Sequence, residues 1–124
     1  MPKKRRKYQA ITAKKKEIRD EQARTLFAYR RWLLDLEKRL RTPGVDPREI
    51  ADTAFHVDEY GARPFAACRR QDDPVVVLSV GLFELARPKP VRDQHGQCKE
   101  WSTPNGAALA KRVAALLDML SEEL

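Results

Sequence analysis

The sequence predicts an α+β fold: two N-terminal helices, a small antiparallel sheet of about three strands, and a C-terminal helix packed on the sheet. Three observations lead there. Apolar residues recur at helical spacing over 17–41 and again from Ala107 onward. Between them, Pro74–Ala86 (PVVVLSVGLFELA) is β-branched, apolar and uncharged before Glu84. Turn-forming residues, Gln71-Asp72-Asp73-Pro74, join that run to a shorter one at 62–70.

The elements follow in order. Residues 1–16 hold eight Lys or Arg and no Asp or Glu, which leaves 17 basic side chains against all 18 acidic ones in the rest of the chain. Repulsion among like charges predicts a flexible basic arm over 1–16, without fixed structure at least through Lys7. Tyr8–Ile11 reads as a short strand or an extended lead-in. The remaining residues, 17–124, read as a single domain.

Over 17–41 the residues Leu26, Tyr29, Leu33, Leu36 and Leu40 form one helical stripe, widened by Phe27, Trp32 and Leu34. Arg24, Arg31 and Lys38 are seven apart and line the opposite face, flanked by Arg30, Arg39 and Arg41. Thr42-Pro43-Gly44 ends this helix. Asp46, Pro47 and Glu49 then carry the start signals of a second helix with Ile50, Ala51, Ala54 and Val57 inward, and Gly61 reads as its stop. His56, Asp58 and Glu59 near its end are acid/base residue types, but a polar helix end accounts for them equally.

Residues 62–70 read as a strand, paired as a hairpin with the central strand 74–86. Gly81 reads as a bulge or a close backbone approach. Arg87–Gln97 reads as a long irregular connection, and Cys98–Trp101 as a third strand. Ser102 or Thr103 caps the last helix, with Pro104 in its first turn. Its stripe is Leu109, Val113, Leu116 and Leu120, which suits packing on the sheet or against a second copy in a homodimer.

For chemistry the sequence offers little. There is no Gly-rich phosphate loop, no Gly-x-Ser-x-Gly and no His-Glu-x-x-His. His56, Cys68, His95 and Cys98 match zinc in number, but only His95 and Cys98 are close in sequence. No cofactor or metal is expected, and two cysteines do not make a disulfide framework, which fits an intracellular, cytoplasmic setting. No run is long enough to span a membrane, so no membrane partner is expected.

The expected function is a small non-enzymatic accessory protein that binds nucleic acid or a ribonucleoprotein through its basic arm. Lys3, Lys4, Arg5, Arg6, Lys7, Lys14, Lys15 and Lys16 supply the arm's contacts. Arg24, Arg30, Arg31, Lys38, Arg87 and Lys89 extend them. Pro2–Lys7 is also similar to a basic nuclear-import signal. A second reading is a protein-interaction module, such as a phage or mobile-element inhibitor or adaptor of a host protein. A third rests on element order alone. Two helices followed by strands are loosely similar to small ribosome-dependent ribonuclease toxins of the RelE type, which implies Arg69, Arg70, Arg87 and Lys89 as basic groups at a cleavage site.

Overall fold

The computed structural model describes the backbone of residues 2–124 and the side chains from residue 10 onward. Helix α1 (Pro2–Arg41) is the longest element. At 1.5 Å per residue it reaches about 60 Å. Its inner stripe is the one expected: Leu26, Tyr29, Leu33 and Leu36 are buried and Leu40 is partly so. The helix begins at Pro2 rather than near residue 17, and Tyr8–Ile11 lies within it. Once the packed half is helical, Ala, Lys and Glu over 10–17 add turns without a new nucleation step. Every residue from 10 through 21 is exposed. Ile11 and Ile18 carry the line of the inner stripe out beyond the packed half. The inward contacts begin at Gln22, whose Nε2 donates to the Cys68 carbonyl at 3.0 Å.

Helix α2 (Pro47–His56) starts as its signals require. The Asp46 carboxylate accepts from the Arg48 backbone N–H at 2.9 Å, and Pro47 opens the first turn. Ala51 and Ala54 are buried, as is Val57 just beyond. Gly61 does not stop it. The chain continues through a π-helical segment (Val57–Ala62) into α3 (Arg63–Ala67), where the sequence suggested a strand. At Gly61 this path comes up against α1. A Cβ there would lie 3.0 Å from Tyr29 Cδ1 and 3.3 Å from Tyr29 Cα. The missing side chain therefore serves close helix packing, not chain reversal.

The largest departure is Pro74–Ala86. In place of a central strand there are two short helices, α4 (Pro74–Ser79) and α5 (Leu82–Ala86), joined through Gly81 at φ +79°. The Asp73 carboxylate caps α4 by accepting from the Val75 N–H at 2.9 Å. The buried positions are Val75, Ser79, Leu82 and Ala86, spaced four, three and four. That is a helical stripe. Val77 and Val80, which made the run look like a strand, are 58% and 71% exposed. Tertiary packing and a good cap outweigh β-propensity here.

The sheet accordingly has two strands, not three. β1 (Lys89–Arg92) pairs antiparallel with β2 (Cys98–Ser102), with Lys89 opposite Ser102 and a shift between Val91 and Arg92. The connection expected to be irregular supplies β1 and a tight turn. The Asp93 carboxylate accepts from the N–H groups of His95 and Gln97, both at 2.9 Å, and Gly96 takes φ +76°.

Helix α6 (Gly106–Glu122) buries Leu109, Val113, Leu116 and Leu120, and Leu117 beside them. It packs on α1, α4 and α5 rather than on the sheet. Its apolar stripe is thus covered within the chain and cannot serve a homodimer. Asn105 precedes its first turn without a side-chain capping bond. The result is a mostly helical body with a small hairpin at its side. One buried cluster runs through α1, α2, the π segment, α3–α5 and α6. Arg69 ties its far end together. It reaches Glu123 at 2.7 Å and Asp73 at 3.7 Å, and lies 4.5 Å over the Phe65 ring.

Candidate nucleic-acid interface

The cations proposed from sequence fall into four groups. Lys3, Lys4, Arg5, Arg6 and Lys7 lie outside the described side chains. Lys14, Lys15 and Lys16 are exposed on consecutive positions of α1, so they point in three directions about 100° apart. Among the described residues none of these three joins an ion pair, and charge stays available to an outside partner. Arg24, Arg31 and Lys38 form the expected row on the outer face of α1. Within it, Arg24 is engaged by Glu21, whereas Arg31 and Lys38 are exposed and make no ion pair with a described residue.

The remaining three candidates do not join that row. Arg30 is half-buried, with its Nε shielded and without a hydrogen-bond partner. Arg87 follows α5 and meets Glu84 at 3.5 Å. Lys89 opens β1 and is exposed. Elsewhere on the body several charges are matched in pairs: Arg39 with Asp35 and Glu49, Arg41 with Glu37, Arg63 with Asp58 and Glu59, Arg70 with Asp72. Exposed pairs of this kind add little stability, but they cancel the field of the body.

A second feature was not read from the sequence. Trp32 of α1 stacks on Tyr60 of the π segment, with ring centroids 6.0 Å apart and planes at 30°. His56 sits 5.8 Å from Trp32 and 5.7 Å from Tyr60. Phe55 continues the series, 6.0 Å from His56 and 5.8 Å from Phe83 of α5. Tyr60 is 56% exposed and Phe55 47%. Beside Trp32, a cavity of about 480 Å³ is lined by Ala28, Arg31, Trp32 and Asp35. The signal was present in the spacing: His56 and Tyr60 lie one helical turn apart. It was hidden because Gly61 reads as a helix stop.

Among the described residues no group of three or more His, Cys, Asp or Glu side chains is placed to hold a metal ion. Asp58 and Glu59, acid/base candidates by residue type, are held by Arg63 at 3.2 and 3.4 Å. Tyr29 has a displaced phenol titration. Burial pushes its phenol up to about 12, against a lowering by its hydrogen bond to Ser79, with the charge of Asp58 adding to the rise. It belongs to the core, with its hydroxyl 2.5 Å from Ser79 Oγ. The helix–helix–strand order that resembled ribonuclease toxins is replaced by helices throughout 47–86, apart from short turns. No described helix is long and apolar enough to cross a membrane. Comparison with protein-family models, curated proteins and solved structures finds no match to the chain.

Proposed function

We propose that this is a non-enzymatic, intracellular accessory protein that binds nucleic acid, alone or within a ribonucleoprotein, through the basic N-terminal part of α1. The observation that carries the reading is the uneven placing of charge. Eight of the 25 basic residues fall in the first sixteen positions without one acid, while the rest of the chain is nearly balanced. Cations on an exposed helix neutralise phosphates and release their counterions, so affinity falls steeply with salt. Helical backbone under Lys14, Lys15 and Lys16 lowers the entropy lost when they bind.

The test is fluorescence anisotropy with labelled single-stranded and duplex oligonucleotides between 50 and 200 mM salt. Replacing Lys14, Lys15 and Lys16 together by Gln should lower the slope of log affinity against log salt by about 2–3, three contacts at roughly 0.7–0.9 each. Affinity that ignores salt, or that survives loss of residues 2–16 unchanged, would overturn the reading.

A protein-interaction module is favoured instead by Phe27 and Leu34, 58% and 40% exposed on the outward side of α1. Capture of one stoichiometric protein from nuclease-treated lysate, with no oligonucleotide binding, would select it.

A further inference from the structure

We propose that the ring series Tyr60, Trp32, His56 and Phe55 is a stacking surface for the bases of single-stranded nucleic acid, with Arg31 meeting the backbone beside it. The inference rests on the reading above and names the form of nucleic acid. Two observations point there.

The rings are few in the chain and yet gathered. Of two Trp, three Tyr, four Phe and two His, this series with Phe83 takes one Trp, one Tyr, two Phe and one His. The rings come from α1, α2, the π segment and α5, so tertiary structure assembles the surface. Trp32 is half-buried against the core and cannot swing away, while Tyr60 and Phe55 offer exposed ring to an incoming planar group. Every base has such a face, which makes stacking tolerant of sequence.

One cation beside the rings is left without an acidic partner among the described residues. Arg31 lines the cavity next to Trp32 and has no acidic partner among the described residues. Asp35 lines the same cavity, but Arg39 holds its carboxylate at 3.6 Å. Asp58 and Glu59, next to Tyr60, are matched by Arg63. Asp52, one turn before His56, is exposed and joins no ion pair with a described residue. It repels phosphate at that end, so the backbone of a bound strand runs on the Arg31 side. A duplex keeps its bases stacked on one another and cannot use the rings, which is why the surface selects single strands.

The experiment uses the full chain carrying Trp101→Phe, which leaves Trp32 as the reporting indole. Three probes are titrated at low salt: an oligothymidylate, an abasic strand with the same number of phosphates, and a duplex of equal length. The expected result is quenching of Trp32 emission by oligothymidylate alone, and affinity about 10-fold above that of the abasic strand. Tyr60→Ala should remove about 10-fold of the oligothymidylate affinity with the salt slope unchanged, and Tyr60→Phe should restore it. Equal binding of base-bearing and abasic strands with silent Trp32, or a preference for duplex, overturns the stacking surface and leaves the phosphate reading standing. Failure of all three probes to bind overturns both.

Discussion

Tyr29 and Ser79 provide the sharpest test of the packing. The Tyr29 hydroxyl donates to Ser79 Oγ at 2.5 Å, and that serine donates onward to the Val75 carbonyl at 2.7 Å. Tyr29→Phe removes a donor but leaves Ser79 its own bond, and should cost about 0.5–1.5 kcal/mol at pH 8. Ser79→Ala leaves a phenol hydroxyl buried without an acceptor, so it should cost more, about 1–3 kcal/mol. The double variant should be more stable than Ser79→Ala alone. Alkaline pH then separates the hydroxyl from simple packing. The Tyr29 pKa is raised from 10.0 to about 12 on folding. The unfolded chain therefore gives up this proton first. The stabilisation that Tyr29 contributes is whole below pH 10, and is lost as pH climbs toward the folded-state value. By pH 11 the loss is about one pH unit's worth, roughly 1.4 kcal/mol, since each unit is about 1.36 kcal/mol. Tyr29→Phe cannot lose it, so its deficit at pH 8 should vanish or reverse at pH 11. Lysine titration affects both proteins alike and cancels in the difference. Urea unfolding followed by circular dichroism at the two pH values measures this directly. A deficit of the same size at both would show that Tyr29 titrates normally and that its surroundings are wet.

Gly61→Val should destabilise by about 1–3 kcal/mol, because its side chain meets the buried Tyr29 ring and backbone; an unchanged urea midpoint would contradict the close crossing. Gly81→Ala should cost about 1 kcal/mol in thermal unfolding, as its φ of +79° strains any L side chain. Asp73→Ala should cost about 1–2 kcal/mol through loss of the α4 cap and of the contact to Arg69. Amide exchange in α4 should speed up selectively in that variant, and protection equal to wild type would show that the cap contributes nothing.

How much of this was legible depends on whether periodicity and residue size agree. In α1 and α6 they agree: apart from Thr25, the buried positions are Leu or another large apolar residue, and the stripes were readable. In Pro74–Ala86 they conflict. The buried line contains Ser79 and Ala86, while large valines stand in water, so alternation of apolar bulk suggested a strand. The local helix sign was Asp73-Pro74, the same cap-and-proline pair that correctly began α2 at Asp46-Pro47. The same residue types also make hairpin turns, so the pair alone does not decide between the two. The cation row on α1 was legible, since seven-residue spacing survives any packing of a helix. The ring series was not, because it needs four elements to meet, and one of them crosses α1 at a glycine whose usual meaning is an ending.

The long first helix also sets a measure. Lys16 and Arg31 stand on one unbroken rod, about 60° apart around it and roughly 22 Å apart along its axis at about 1.5 Å per residue. Phosphates of a stacked strand recur about every 3.4 Å, so a strand touching both handles must be about seven nucleotides long. Shorter oligomers can grip one handle at a time. A plot of affinity against oligomer length should therefore rise in a step, and inserting or deleting whole turns between Gln22 and Lys16 should move that step by a predictable number of nucleotides.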